Sequence, residues 1–149
     1  MTIGMGNASS LIRICSNSAA ESCSIMIFNC RTLCGQDVRK RDRVIKYLFN
    51  IAHKADVGGT VPGSTFGSAT ELYQEGMLLP PVRIHHRGKP IPDIERLISA
   101  NTRAPYVVQG DIAGQIGVTR IGREQIQKIC ERFSADVLIG AMDQIGRAH

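Results

Sequence analysis

The 149-residue chain is long enough to bury one sizeable hydrophobic core, and its 43% hydrophobic and 21% charged residues are typical of a globular protein. Its net charge of +5 does not predict nucleic-acid binding, because the basic cluster Arg39, Lys40, Arg41 and Arg43 has no interleaved aromatic residues and Trp is absent. With no run of 18 apolar residues and no signal-peptide pattern, the sequence predicts a cytoplasmic protein without a membrane partner.

Residues 1–43 show neither helical nor strand periodicity over a useful length. They contain Cys15, Cys23, Cys30 and Cys34, of which the last two have C-x3-C spacing. No second Cys/His pair follows at zinc-finger spacing, so we expect free thiols in a reducing compartment. We expect the segment to be disordered, because it lacks a continuous face that could be buried.

From residue 44 onward the pattern becomes regular. Residues 44–52 are rich in β-branched and aromatic side chains and predict a strand. Residues 55–69 contain four glycines and predict a long loop, whose length suggests a function. Residues 78–84 are expected to be extended, because a residue before proline is disfavoured in a helix. A turn around Gly88 follows.

The C-terminal part predicts helices at residues 92–101, 110–133 and 135–143. The middle segment is expected to be one helix or two. Three glycines within it would each cost about 1 kcal/mol relative to alanine, which predicts a break or close helix packing: Gly114, Gly117 and Gly122. The fold class is therefore α+β, in which a strand and a glycine-rich loop precede a mostly helical part.

The junction between the strand and the glycine-rich loop carries candidate functional residues. A histidine at the end of a strand, His53, with a carboxylate three residues on, Asp56, is a common arrangement for a metal ligand and its orienting partner. Gly58 and Gly59 would let the backbone approach a bound ion or substrate closely. The alternative is a surface histidine near an aspartate that caps the turn.

Two further carboxylates, Glu71 and Glu75, would share one face if they lie on a helical turn. They could act as acid and base, as ligands, or as solvated surface charges. His85 and His86 lie at a predicted turn without a carboxylate nearby in the sequence, and we expect them to be exposed and inert.

A third polar group lies near the start of the long helical segment and comprises Asn101, Arg103, Asp111 and Gln115. Asp111 could act at a helix N-terminus, where a carboxylate is favourable. The alternative for the whole group is helix capping and surface pairing.

Four blocks of this sequence, in order, resemble the hydantoinase B/oxoprolinase family: NIAHKADVGGTVPGS, TELYQEGMLLPPVRI, NTRAPYVVQGDIAGQI and AMD. The resemblance covers residues 44–144 and implies a fragment of a larger domain. It implies ATP-dependent hydrolysis that opens cyclic amides such as 5-oxoproline or N-methylhydantoin. The family also includes acetone and acetophenone carboxylase subunits, and a carboxylase subunit is therefore the alternative to a hydrolase.

The same resemblance assigns roles to residues. It implies that His53 is a ligand of a divalent metal (Mn, Zn or Mg) and that three carboxylates are catalytic: Asp56, Glu71 and Glu75. It implies that five residues shape the substrate pocket: Gly58, Gly59, Asn101, Asp111 and Gln115. ATP would be used by a partner, a hydantoinase A-type subunit.

The sequence also departs from the family pattern. A block of the form Gly-Gly-Thr-His-x-x-Asp should precede His53, but residues 1–43 contain no histidine, as a frameshifted reading would explain. Lys54 stands where a second histidine is frequent. Residues 145–149 back-translate to a sequence resembling a sequencing adapter, so we interpret them as an artefactual tail. A catalytically inactive fragment that docks to a partner is therefore the alternative to an enzyme.

Overall fold

The computed structural model describes residues 22–28, 31–40 and 43–147. The strands are β1 (Ser22–Phe28), β2 (Arg31–Lys40), β3 (Arg43–His53), β4 (Leu79–His86) and β5 (Lys89–Pro90). The helices are α1 (Pro92–Ala100), α2 (Pro105–Phe133) and α3 (Ala135–Arg147), with a short 3-10 helix at Leu72–Glu75. The α+β prediction, with a mostly helical C-terminal part after a strand and a glycine-rich loop, is confirmed.

The strands form an antiparallel sheet in the order β3-β2-β1-β4-β5. β3 contains the predicted strand and pairs with β2, from His53 opposite Arg31 to Arg43 opposite Lys40. Its β-branched and aromatic residues favour this extended conformation. The pairing carries β3 as far as His53, so the chain leaves the sheet directly before the glycine-rich loop.

β1 and β2 were not predicted, since residues 1–43 have no alternating pattern of apolar side chains. The structure places β2 between β1 and β3, where both of its edges are paired. Hydrogen bonding between backbones is independent of side-chain type, so partners elsewhere in the chain can stabilise a strand without a clear pattern. The expectations for residues 1–21, including Cys15, and for Cys30 concern residues outside the described ranges.

The long helix α2 is continuous and packs across β2 and β3. It begins at Pro105, earlier than predicted, because proline is well suited to the first turn of a helix. A Cβ at Gly122 would lie 3.3 Å from Leu48 Cδ1, so one of its glycines permits close packing on the sheet. None of the described helices is long and apolar enough to cross a membrane.

A hydrophobic core joins the loop after β3 to β4 and to the helices α1 and α2. Its members are Val57, Leu79, Ile84, Ile98, Val108 and Ile112. Burying a side chain of this size stabilises a fold by about 1.5–3 kcal/mol. Because Val57 belongs to this core, its neighbours Asp56 and Gly58 are held next to the hydrophobic core.

Candidate functional site

The glycine-rich loop that follows β3 is organised around a buried aspartate. Asp56 Oδ1 accepts hydrogen bonds from the backbone N–H groups of Gly58 (2.9 Å) and Arg103 (3.0 Å) and from Thr102 Oγ1 (3.3 Å). Its Oδ2 accepts from the backbone N–H of Gly63 (3.0 Å) and from Arg103 Nη1 (3.0 Å). We call these five residues the Asp56 clasp. They tie the loop to the connection between α1 and α2.

The clasp determines the charge of Asp56. Burial raises the pKa of its carboxyl group, but hydrogen bonds from the backbone of Arg103, Gly58 and Gly63 and from the Arg103 guanidinium outweigh this effect. The pKa therefore lies well below its ordinary value. A carboxylate with so low a pKa is a weak base, and both of its oxygens are already engaged. The geometry favours a positioning role for Asp56 over proton transfer.

Arg103 extends the clasp along the loop. Its Nη2 donates to the carbonyl oxygen of Gly59 at 2.6 Å, and its Nη1 donates to that of Val61 at 3.2 Å. The side chain is 45% exposed, whereas that of Asp56 is 5% exposed. One guanidinium thus fixes the backbone of the loop from its solvent side, a role that follows from its fork of several N–H donors.

Ser64 closes the loop from within. Its Oγ accepts a hydrogen bond from the N–H of Val57 and donates one to the carbonyl oxygen of Gly58, both at 2.7 Å. The side chain is buried, and the backbone has a φ of 55°. Neither Ser64 nor Thr102 was predicted to be functional, since nothing in a serine or threonine of a polar loop marks it as a structural hydrogen-bonding partner.

Gly58 and Gly59 bring two other blocks of sequence against the loop. Both have a positive φ, 85° and 86°. A Cβ at Gly58 would lie 2.8 Å from the carbonyl oxygen of Asn101, and one at Gly59 would lie 2.6 Å from that of Gln74. These glycines permit close backbone approach to other parts of the chain, whereas the approach to a bound ion or substrate stays a prediction.

Glu71 and Glu75 lie at either end of the segment that contacts the loop. Glu71 is exposed and extended, directly before the 3-10 helix Leu72–Glu75, and Glu75 is half-buried. The two do not lie on one α-helical turn, the condition under which residues four apart share a face. The backbone between them is fixed by a bond from Thr60 N–H to Gln74 O at 2.9 Å. Glu75 therefore directly follows a residue that is bonded to the glycine-rich loop.

Asp111 and Gln115 lie on α2 and are not members of the clasp. α2 begins at Pro105, so Asp111 is not at a helix N-terminus as predicted. The Gln115 side chain is buried against β3: its Nε2 donates to Asn50 Oδ1 at 2.7 Å, and Asn50 Nδ2 donates to the Gln115 carbonyl oxygen at 2.8 Å. This pair joins the helix to the sheet, which is an architectural role.

The residues that the structure describes do not form a complete metal centre. His53 is exposed at the end of β3, while Lys54 beside it is buried. Across the ranges that the structure describes, no three His, Cys, Asp or Glu side chains come close enough to hold an ion. Asp56, the predicted partner of His53, is engaged in the clasp. Catalytic metal sites normally use three protein ligands.

The prediction that His85 is exposed was wrong. This residue is half-buried in a cleft, and Glu95 from α1 acts on it electrostatically, although no carboxylate lies near it in sequence. His86 and Arg87 are exposed at the turn, as expected. The difference arises because the fold brings α1 back over the end of β4.

The model of the family described as hydantoinase B/oxoprolinase matches residues 34–148. This match spans more than half of the chain.

The chain belongs to the hydantoinase B/oxoprolinase family. The match begins within β2, ahead of the resemblance at residues 44–144 that the motifs indicated. The clasp and both carboxylates, Glu71 and Glu75, therefore lie inside the family region.

Curated relatives include an uncharacterized protein of Methanocaldococcus jannaschii, 40% identical over 92 residues, which are 62% of this chain and 16% of that protein. The B subunit of a putative D-/L-hydantoinase from a Pseudomonas strain is 28% identical over 106 residues, 70% of this chain and 18% of the relative. The beta subunit of the caprolactamase of Pseudomonas jessenii is 32% identical over 84 residues, 56% of this chain and 14% of the relative. This chain thus spans less than a fifth of each relative's length.

Two solved structures share the fold of this hydantoinase B/oxoprolinase chain. The ATP-dependent caprolactamase from Pseudomonas jessenii superposes with a TM-score of 0.77 at 20% identity, covering 95% of this chain and 27% of that one. A nucleotide-free acetone carboxylase gives a TM-score of 0.74 at 12% identity, covering 90% and 20%. The described fold is therefore a portion of larger proteins, as the resemblance implied.

Proposed function

We propose that this chain forms part of a subunit of an ATP-dependent enzyme that hydrolyses cyclic amides such as 5-oxoproline or N-methylhydantoin. One observation carries the proposal. Three family blocks that are distant in sequence meet at the Asp56 clasp, where Gly58 abuts Asn101 and Gly59 abuts Gln74. A loop held this firmly by buried hydrogen bonds is the kind of scaffold on which reacting groups keep a fixed position.

The relatives support the substrate class. Hydantoin and caprolactam, which appear in the names of two of them, are both rings closed through an amide bond. Caprolactamase is described as ATP-dependent. Because three of the relatives are named as subunits, we further propose a partner subunit, of hydantoinase A type, as the one that uses ATP.

Ring opening adds water across the amide C–N bond: the oxygen joins the carbonyl carbon, and the nitrogen leaves with a proton. Glu71 precedes and Glu75 ends the 3-10 helix whose Gln74 carbonyl oxygen accepts a hydrogen bond from Thr60 of the loop, and we assign proton transfer to these two carboxylates. Asp56 keeps its negative charge and holds Gly58 and Gly63 in place. His53 is the last residue of β3, directly before the loop. We propose that it binds a metal ion together with ligands from other parts of the enzyme.

A second candidate is a subunit of an ATP-dependent carboxylase. It is favoured by the 30% identity over 99 residues to the acetophenone carboxylase delta subunit of Aromatoleum aromaticum. That reaction would join an activated ketone to bicarbonate and would need no ring. The third candidate function is that of an inactive fragment that docks to a partner. It predicts no turnover with any combination of partner subunit, ATP and substrate.

The experiment replaces the matching stretch of the full-length caprolactamase beta subunit with residues 53–103 of this chain, and measures product and ADP with the partner subunit, ATP and each substrate. Ring opening of a lactam or hydantoin supports the hydrolase, and carboxylation of acetophenone supports the carboxylase. Glu75→Gln in the chimera should lower turnover, whereas Asp93→Asn, an exposed residue of α1 outside the clasp and the cleft, should not.

An inactive chimera that folds and binds the partner would instead support the docking fragment. The unmodified caprolactamase beta subunit serves as the positive control for the assay. The 149-residue chain alone should give no turnover with or without ATP, since groups that act as a unit fail together when part of the site is missing.

A further inference from the structure

A cleft of about 480 Å³ lies between β4, β5, α1 and α2, and none of its lining residues belongs to the Asp56 clasp. Its floor is formed by apolar side chains. Ile84, Ile98 and Ile112 are 1%, 2% and 7% exposed and belong to the hydrophobic core, and Ile116 extends the same surface along α2. This volume lies within the range of about 300–1,000 Å³ in which proteins bind small molecules.

Two opposite charges line the cleft from different helices. Glu95 lies in the first turn of α1, and Arg120 lies on α2. Within the ranges that the structure describes, neither side chain forms a hydrogen bond or an ion pair, whereas Asp93 and Arg96 of the same α1 bind each other. Glu95 and Arg120 are thus available to pair with a ligand, whereas Asp93 and Arg96 already pair with each other.

His85 and Gln109 supply neutral polar groups. Burial lowers the pKa of His85, although Glu95 opposes the shift, which favours the neutral imidazole, a group that can both donate and accept a hydrogen bond. Gln109 Nε2 donates to Ser99 Oγ at 2.7 Å, which holds this amide at the end of α1. The cleft therefore presents one negative charge, one positive charge and an aliphatic floor.

We propose that this cleft binds a small zwitterionic amino acid with an aliphatic body. Its carboxylate pairs with the guanidinium of Arg120, its ammonium group pairs with the carboxylate of Glu95, and its carbon chain covers the isoleucine floor. A ligand with one charge would leave the opposite group of the cleft unpaired, and a ligand without an aliphatic part would not bury the floor. The proposal does not depend on the ring-opening function, because the cleft lies apart from the Asp56 clasp.

The test uses the 149-residue chain and two-dimensional NMR titration with two probes of different charge separation, L-isoleucine and 6-aminohexanoate. At least one should give saturable shifts centred on Ile84, His85 and Gly117. Hexanoate lacks the ammonium group and hexylamine lacks the carboxylate, so each should bind about 10-fold more weakly than the matching zwitterion, as expected for loss of a charged hydrogen bond.

Glu95→Gln and Arg120→Gln should each weaken the better probe by a similar factor of about 10. The matched controls Glu124→Gln and Arg132→Gln change exposed residues of α2 that do not line the cleft, and they should leave the affinity unaltered. The amide spectrum of each variant shows whether it remains folded. Absence of saturable shifts, equal binding of the singly charged analogues, or an equal loss in the control variants would overturn the proposal.

Discussion

Asp56 and Arg103, 47 residues apart in the sequence, are joined at two points: the Arg103 backbone N–H donates to Oδ1 and its Nη1 donates to Oδ2, each at 3.0 Å. A bidentate contact of this kind fixes direction as well as distance. It joins the loop after β3 to the connection that precedes α2. The loop is therefore fixed by tertiary hydrogen bonds, although it has no regular secondary structure.

Removing the charge of Asp56 should destabilise the chain. In Asp56→Asn the amide nitrogen would face an N–H group or the guanidinium, leaving buried donors unpaired, and we expect a loss of about 2–3 kcal/mol in the free energy of unfolding. Urea denaturation of the 149-residue chain measures it. Asp143→Asn, an exposed residue of α3, is the matched control and should change stability by less than about 0.5 kcal/mol.

The lowered pKa of Asp56 predicts a dependence of stability on pH. A carboxyl group whose pKa is lower in the folded state binds fewer protons there than in the unfolded chain. Its contribution is complete above its ordinary pKa of about 4 and is lost progressively as the pH falls towards the lowered folded-state value. The stability difference between the wild-type chain and Asp56→Asn should therefore be smaller at acidic pH than at neutral pH. An unchanged difference would contradict this assignment.

Gly59 should resist substitution for two separable reasons. Alanine at this position has a φ of 86°, and its Cβ would come within 2.6 Å of the Gln74 carbonyl oxygen, so we expect a loss above about 2 kcal/mol. Gly88→Ala has the unfavourable φ without a neighbour and should cost about 1–2 kcal/mol. Gly67→Ala has neither feature and should be nearly neutral. Thermal unfolding of the three variants checks this order.

The pair of Asn50 and Gln115 should behave as a structural link between β3 and α2. Each substitution by alanine should lower stability by about 1 kcal/mol, because each breaks part of a reciprocal pair of hydrogen bonds. In a double-mutant cycle the two losses should be less than additive, with a coupling of at least about 0.5 kcal/mol. Gln125→Ala, exposed on α2, is the control. Fully additive losses would show that the two side chains act independently.

Metal binding tests the role of His53. With one imidazole and no cluster of further ligands among the described residues, Mn²⁺ or Zn²⁺ should bind the 149-residue chain weakly, and His53→Ala should abolish that binding. His86→Ala, an exposed histidine on the hairpin, should bind like the wild-type chain. Calorimetric titration measures both. Tight binding that survives in His53→Ala would place the ligands elsewhere, for instance at the cysteines.

Local patterns predicted β3, β4 and the three helices with errors of up to five residues at their ends, but they did not predict β5 or the short 3-10 helix. The β-branched and aromatic residues of β3, the prolines within β4 and the proline at the start of α1 act on the backbone within a few residues, so the sequence alone reveals them. The same patterns did not reveal β2, whose pairing with β3 and β1 depends on hydrogen bonds between distant segments.

The sequence by itself determined the order of elements after residue 43, the glycine-rich loop and the family, because motifs and local backbone preferences are properties of short stretches. Only the tertiary structure decided what the predicted residues do. It placed Asp56 in a buried clasp with Arg103, turned Gln115 towards Asn50, and brought Glu95 to His85. Hydrogen bonds and charges act over a few ångströms in space, and the separation of two residues along the chain does not reveal that distance.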